Sequence, residues 1–203
     1  MRARLVLDLA LTLCLGAALG CAARSDCPPT VVAPASPAAA PAPVAEPAAM
    51  PTVVLLVRHA EKADDGTPDP PLTERGQQRA ACLAAMLHDL APTHLLTTDY
   101  QRTRATLEPL AAATGLQPVV IDAKDAAAWS QALAELPPGS RAVVAGHSNT
   151  LPRLVAELGS RLSALDPQGN VPDDDYDRLV HVVVEGPGRA VAYTTTYCAD
   201  PAP

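Results

Sequence analysis

Phenylalanine is absent from this 203-residue chain, and aromatic residues of all kinds make up 2% of it. Stacking platforms for single-stranded nucleic acid need such rings, so that class of function is not indicated. Positive charge is also short. The chain has 15 Lys and Arg against 22 Asp and Glu, for a formal charge of -7, which excludes a strongly basic nucleic-acid surface. With so few rings, the core must be built mainly from Leu, Val and Ala, a composition suited to helices packed on a sheet.

The N-terminus does not belong to that core. Arg2 and Arg4 precede an apolar run from Leu5 to Leu19, interrupted by Asp8 and too short for a comfortable membrane-spanning helix. Small residues and a cysteine follow in Ala17-Ala18-Leu19-Gly20-Cys21. A basic start, a short apolar run and a small-residue cleavage site describe a secretory signal peptide over residues 1–21. Cysteine directly after Gly20 resembles the lipobox of bacterial lipoproteins, although Ala18 and Leu19 stand in swapped order. The resemblance implies lipid attachment at Cys21, hence an exported, envelope-anchored protein; ordinary cleavage would leave it periplasmic or secreted. Residues 22–51 form a Pro/Ala-rich linker carrying eight of the 22 prolines, a composition that favours extended chain over a packed core.

Beyond Cys14 and Cys21 the thiols are Cys27, Cys82 and Cys198. An exported protein can hold disulfides, and three thiols permit at most one internal bridge. Their spacing matches no metal-ligand pattern. A buried free thiol is the ordinary expectation for Cys82, which falls in an expected helix.

The domain is expected over residues 52–198. Thr52-Val53-Val54-Leu55-Leu56-Val57 reads as a buried strand of a parallel-type sheet. A long helix follows from Leu72 to about Leu90, with Thr73 as N-cap and Leu83, Met86, Leu87 and Leu90 as its apolar face. A second strand runs from His94 to Thr98, a second helix to Gly115, a third strand from Pro118 to Ile121 and a third helix from Lys124 to Leu136. The fourth strand, Arg141 to Ala145, leads into a short helix from Leu151 to Leu158. A polar stretch, 160–177, precedes a hairpin of Leu179 to Val184 and Ala190 to Tyr197. Alternating strands and helices argue for a three-layer α/β/α sandwich on a mostly parallel central sheet.

Three strand-to-helix junctions carry the chemistry. The first delivers Arg58 and His59, the second Arg102 and the third His147. In a parallel sheet such junctions gather along one edge, where open α/β folds bind ligands. Two guanidiniums, two imidazoles and the helix N-termini beside them would form a site for a phosphoryl group. Each residue also has a structural alternative: His59 or His147 as a helix cap, Arg102 as a solvated helix position. Arg104 sits two residues from Arg102 on another face. Glu61 could line the site or form a surface ion pair with Lys62. Ser148 and Asn149 could donate into the pocket or simply start a helix. Arg79 is expected at the surface.

These motifs resemble, in order, the signature of the histidine phosphatase superfamily, also called phosphoglycerate mutase-like. Arg58-His59-Ala60-Glu61 is similar to its first element. Thr98-Asp99-Tyr100-Gln101-Arg102-Thr103 is similar to its second, Gly146-His147-Ser148 to its third, and Leu72-Thr73-Glu74-Arg75-Gly76 to the segment after the first. The resemblance implies the phosphoglycerate mutase-like fold and a two-step reaction without cofactor or metal. His59 attacks phosphorus to form a phosphohistidine, which water hydrolyses, while Arg58, Arg102 and His147 hold the non-bridging oxygens.

The superfamily's usual proton donor is not evident. Ser148 follows His147, so the phytase-like Asp is absent. Asp122 and Asp125 fall where a donor could sit, with Asp99 and Glu108 as further candidates. The small phosphohistidine phosphatases, which the domain resembles in size, lack an obvious dedicated acid, and a phosphoramidate leaving group needs one less. The short connections leave no room for a cap, so a shallow site is expected, suited to a phosphorylated small molecule or a phosphoprotein. The expected function is an exported phosphatase for phosphomonoesters or phosphoramidates. The alternatives are a non-catalytic envelope lipoprotein that binds a phosphorylated ligand, and a phosphoglycerate mutase-type phosphotransferase.

Overall fold

The structure is a computed structural model and describes residues 50–186 and 188–198. The signal-peptide segment, most of the linker, Cys21 and Cys27 lie outside the described residues. Ten elements follow one another: β1 (Thr52–Arg58), α1 (Glu74–His88), β2 (His94–Thr98), α2 (Gln101–Thr114), β3 (Val119–Ile121), α3 (Ala126–Ala134), β4 (Arg141–Gly146), α4 (Thr150–Glu157), β5 (Arg178–Gly186) and β6 (Arg189–Thr196). No helix among the described residues is long and apolar enough to cross a membrane.

The six strands form one sheet in the order β3-β2-β4-β1-β5-β6. The first four run parallel; β5 and β6 add an antiparallel edge beside β1. Alternate side chains of a strand point to opposite faces, and β1 shows the consequence. Val54 and Leu56 enter a cluster with Trp129 and Leu133 of α3 and Leu151 and Leu154 of α4. Leu55 and Val57 enter another with Leu83 and Leu87 of α1 and Leu107 and Leu110 of α2. A strand flanked by helices on both faces must be apolar throughout, which accounts for the unbroken run Val53 to Val57. The fold is the α/β/α sandwich expected from the sequence.

Two expectations about α1 need correction. Thr73 does cap it, its hydroxyl accepting from the Gly76 amide at 3.1 Å. Its apolar face, however, is Ala80, Leu83, Ala84 and Leu87, while Met86 and Leu90 are exposed. The free-thiol expectation for Cys82 also fails, because Cys82 is bridged to Cys198 across 116 residues of chain. The helix therefore spends one half-buried position on fastening the chain end that follows β6.

Parallel pairing sets the site. Arg58 lies level with Gly146, and Thr97 with Ala145, so β1, β2 and β4 end together. The backbone amide of His59 donates to the carbonyl of Gly146 at 2.9 Å. Gly146 is needed there: a Cβ would stand 2.7 Å from Thr150 Oγ1 and 2.9 Å from Leu151 Cδ1, preventing α4 from starting so close to the strand.

Candidate active site

Arg58, His59, Arg102 and His147 line one cavity of about 330 Å³ at the carboxyl ends of β1, β2 and β4, with Ser148 and Asn149 at its wall. All four come from the strand-to-helix junctions that follow those strands, and three of them, Arg58, His59 and His147, are buried.

His59 is fixed through one ring nitrogen. Its Nδ1 lies 2.8 Å from the carbonyl oxygen of Ala60. A carbonyl only accepts, so Nδ1 carries the hydrogen and Nε2 is left with its lone pair. Ala60 is itself anchored, its amide donating to Thr106 Oγ1 at 3.0 Å. Burial, joined by the charges of Arg58, His147 and Arg102, pushes the His59 pKa down to about 3, against the opposing pull of the Ala60 carbonyl. The ring is thus neutral at ordinary pH, as a nucleophile must be.

His147 stands beside it, the ring centroids 5.5 Å apart. Burial first, then the charge of Arg102, lowers its pKa to about 4. Its Nε2 lies 3.0 Å from Thr98 Oγ1, which is 2.6 Å from Thr103 Oγ1, and Thr103 donates to the Tyr100 carbonyl at 2.8 Å. Each hydroxyl has one hydrogen. If Thr103 gives its own to Tyr100, Thr98 gives its own to Thr103, and Nε2–H of His147 donates to Thr98. The chain orients the second histidine.

The arginines are aimed by stacking and by carboxylates. Arg58 lies 4.4 Å from the ring centre of Tyr176 and Arg102 4.2 Å from that of Tyr100. Arg58 Nη1 donates to the carbonyls of Pro172 and Asp173 at 3.0 and 2.7 Å, and Nη2 to Asp173 Oδ1 at 3.2 Å. Arg102 Nη1 donates to Asp69 Oδ1 at 3.3 Å. The buried Nε of each arginine has no hydrogen-bond partner, which leaves donor capacity for a ligand oxygen. Thr98 and Tyr100 fall within the second motif but were given no role there. Asp69, Asp173 and Tyr176 were not singled out from the sequence, and no local signal marks them, since each acts on an arginine brought near by the fold.

Other expected residues have different work. Glu61 does not line the cavity. Its carboxylate accepts from Arg79 Nε at 2.9 Å to both oxygens and from Nη2 at 2.7 Å, and Arg75 Nε is 3.1 Å away. Burial opposes its charge, but the bonds and charge of Arg79 outweigh that and hold its pKa below the usual range. Arg79, expected at the surface, is 5% exposed. Asp125 caps α3, accepting from the Ala128 amide at 2.9 Å. Asp122 accepts from the Lys124 amide at 2.8 Å, Asp99 from the Ala123 amide at 3.3 Å, and Glu108 lies in a groove between α1 and α2. None of these four lines the cavity, so their candidacy as proton donor is withdrawn. Arg104 likewise borders that groove and not the site. Asn149 takes the N-cap position of α4 without a side-chain cap bond. Among the described residues no group of three or more His, Cys, Asp or Glu could hold a metal ion.

Two buried imidazoles between two guanidiniums at the carboxyl edge of a parallel sheet form a cavity suited to an anion. Comparison with known proteins makes this specific. Residues 54–125 match the model of the histidine phosphatase superfamily (branch 1). Over 77 residues the chain is 38% identical to a probable phosphoglycerate mutase of Shigella dysenteriae, covering 35% of this chain and 35% of the relative. That alignment spans about a third of the length of the curated relatives. Among solved structures, the protein histidine phosphatase SixA in complex with tungstate aligns with a TM-score of 0.53 at 24% identity, covering 71% of this chain and 97% of that one. A mycobacterial glucosyl-3-phosphoglycerate phosphatase aligns with a TM-score of 0.51 at 17% identity, covering 74% and 100%. These likenesses are ones of fold. Over residues 54–125 the chain is thus similar to the histidine phosphatase superfamily, and its fold is that of histidine phosphatase proteins.

Proposed function

We propose that the domain is an exported phosphatase that hydrolyses phosphomonoesters or phosphoramidates through a phosphohistidine on His59. The observation that carries this reading is the 2.8 Å contact of His59 Nδ1 with the Ala60 carbonyl, which leaves a neutral Nε2 directed to reaction. In the first step Nε2 attacks phosphorus and the bond to the leaving group breaks. In the second, water attacks the phosphohistidine and the P–N bond breaks. Arg58, Arg102 and His147 surround the non-bridging oxygens, and their charge and donors stabilise the transition state. Unprotonated His147 contributes as a polar neighbour and takes up a proton more readily once a phosphoryl dianion is bound.

Export is supported by the Cys82–Cys198 bridge, since structural disulfides persist in oxidising compartments, and by the signal-like start of the chain. Anchoring at Cys21 belongs to the same reading. A mutase reading draws on the name of the Shigella relative, over a third of each chain, whereas the small size of the domain suits hydrolysis at an open site. Hydrolysis of p-nitrophenyl phosphate with and without EDTA tests the assignment. We expect activity insensitive to EDTA, lost in His59→Ala, with acid-labile phosphate trapped on the wild type alone. Equal hydrolysis by the variant would remove His59 from the role. A Cys21→Ser variant should leave the membrane fraction, and its retention there would refute the anchor.

A further inference from the structure

The structure leaves one chemical role open, the acid that protonates the leaving oxygen, and one carboxylate in a position to fill it. We propose that Asp173 is the general acid for phosphomonoester hydrolysis and the base that accepts a proton from water in the second step. This rests on the phosphohistidine reading above. Among the described residues, Asp173 is the one carboxylate that lines the cavity with Arg58, His59, Arg102 and His147. Two further carboxylates lie near enough to act on His147, and both are engaged: Asp69 by the Gln101 amide at 3.1 and 3.2 Å and by Arg102, Asp99 by the Ala123 amide at 3.3 Å.

Asp173 combines a held backbone with a loose side chain. Its carbonyl accepts from Arg58 at 2.7 Å, which keeps the residue at the cavity. Its side chain is 95% exposed and meets Arg58 Nη2 at 3.2 Å. An ion pair with so exposed a carboxylate is weak, so a phosphoryl group arriving on Arg58 displaces the carboxylate at little cost. As it is displaced, the carboxylate takes a proton from solvent, which its exposure allows. In the first step Nε2 of His59 bonds to phosphorus, the P–O bond to the leaving group breaks, and its electron pair takes the Asp173 proton. In the second, water loses a proton to Asp173 as its oxygen bonds to phosphorus and the P–N bond breaks. When phosphate leaves, the carboxyl returns its proton to solvent and the pair with Arg58 re-forms.

Leaving groups separate this role from a structural one. p-Nitrophenolate departs without a proton, whereas an alkoxide needs one. For Asp173→Asn we expect kcat on an alkyl phosphate such as 2-glycerol phosphate to fall about 100-fold, within the range of general acid catalysis. The loss on p-nitrophenyl phosphate should be at least tenfold smaller, and Asp173→Glu should recover part of the alkyl phosphate rate. Equal losses on both substrates would show that Asp173 only positions Arg58, and no loss on either would show that it does nothing; both results overturn the proposal. The phosphohistidine trap on the wild type reports separately on His59. A wild type that traps phosphate, with equal losses in the variant, refutes Asp173 alone, while a wild type without phosphatase activity refutes both assignments. An exposed, isosteric substitution leaves folding intact, which circular dichroism of the variant verifies.

Discussion

Arg79 and Glu61 form a fork-to-fork pair, with Arg79 Nε 2.9 Å from both carboxylate oxygens of Glu61 and Nη2 2.7 Å from one of them. A third arm of the same guanidinium, Nη1, donates to the carbonyl of Cys198 at 2.9 Å. One side chain on α1 thus ties the loop after His59 to the chain end after β6. The pair is structural, and it lies one residue beyond the carbonyl that sets the tautomer of His59.

Removing that arginine should cost stability before chemistry. Charged hydrogen bonds of this kind are worth about 2 kcal/mol each on truncation, and Arg79→Ala leaves the Glu61 carboxylate half-buried without its main counter-charge. We expect a loss of at least about 2 kcal/mol in urea unfolding. A smaller loss is expected for Glu61→Gln, which keeps part of the hydrogen bonding. Unchanged unfolding midpoints in both variants would show that the pair contributes nothing.

The disulfide acts on the same chain end from the other side. Closing a loop of 116 residues restricts the unfolded chain and typically stabilises by about 2–4 kcal/mol. Dithiothreitol should therefore lower the melting temperature of the wild type but not that of Cys82→Ser, which should melt near the reduced wild type. A wild type indifferent to reductant would mean that the bridge does not contribute. Peptide mapping under non-reducing conditions should recover a Cys82–Cys198 cross-linked pair.

Acid should destabilise the domain through its two buried histidines. Folded pKa values of about 3 for His59 and about 4 for His147 lie below the ordinary imidazole value of 6.5. The unfolded chain therefore binds protons that the folded one refuses, and stability rises with pH across that interval. The contribution is complete above about pH 6.5 and is lost as pH falls toward 4 and then 3. Melting temperature should drop from pH 6.5 to 4, and the slope should flatten in a His59→Asn, His147→Asn double variant. Vanadate or phosphate should raise the melting temperature of the wild type, by binding the folded state alone.

Much of this was legible from local pattern. The β1 run reads as a doubly buried strand because helices cover both of its faces, and the Arg58-His59 and Gly146-His147 junctions meet because β1 and β4 are parallel neighbours in register. The strand order was not legible, because nothing in β5 says that it pairs antiparallel with β1. Nor was the partner of Arg58, since Asp173 lies 115 residues away in a polar stretch without periodicity. Arg79 was misplaced for a related reason. Its helical position resembles a solvated one, and only the fold brings Glu61 and Cys198 over it.

Gly76 gives the sharpest test of how the first motif is supported. It sits in the first turn of α1, where Gly→Ala ordinarily stabilises a helix by about 1 kcal/mol. Here the sign should reverse. A Cβ on Gly76 would fall on the carbonyl oxygen of Glu61 and 3.1 Å from its carbonyl carbon. That oxygen accepts from the Thr73 amide at 2.8 Å and from the Thr73 hydroxyl at 3.2 Å, so it is anchored and cannot retreat without breaking the N-cap of α1. The clash is with backbone, one residue past the Ala60 carbonyl that holds Nδ1 of His59. Gly76→Ala should therefore destabilise by about 2 kcal/mol, in line with overpacking. It should also lower kcat more than it raises KM, because the ring it disturbs is the proposed nucleophile and not a phosphate ligand. A variant more stable than the wild type, with unchanged kcat, would show that the loop after His59 tolerates displacement and that its contact with α1 does not position the ring.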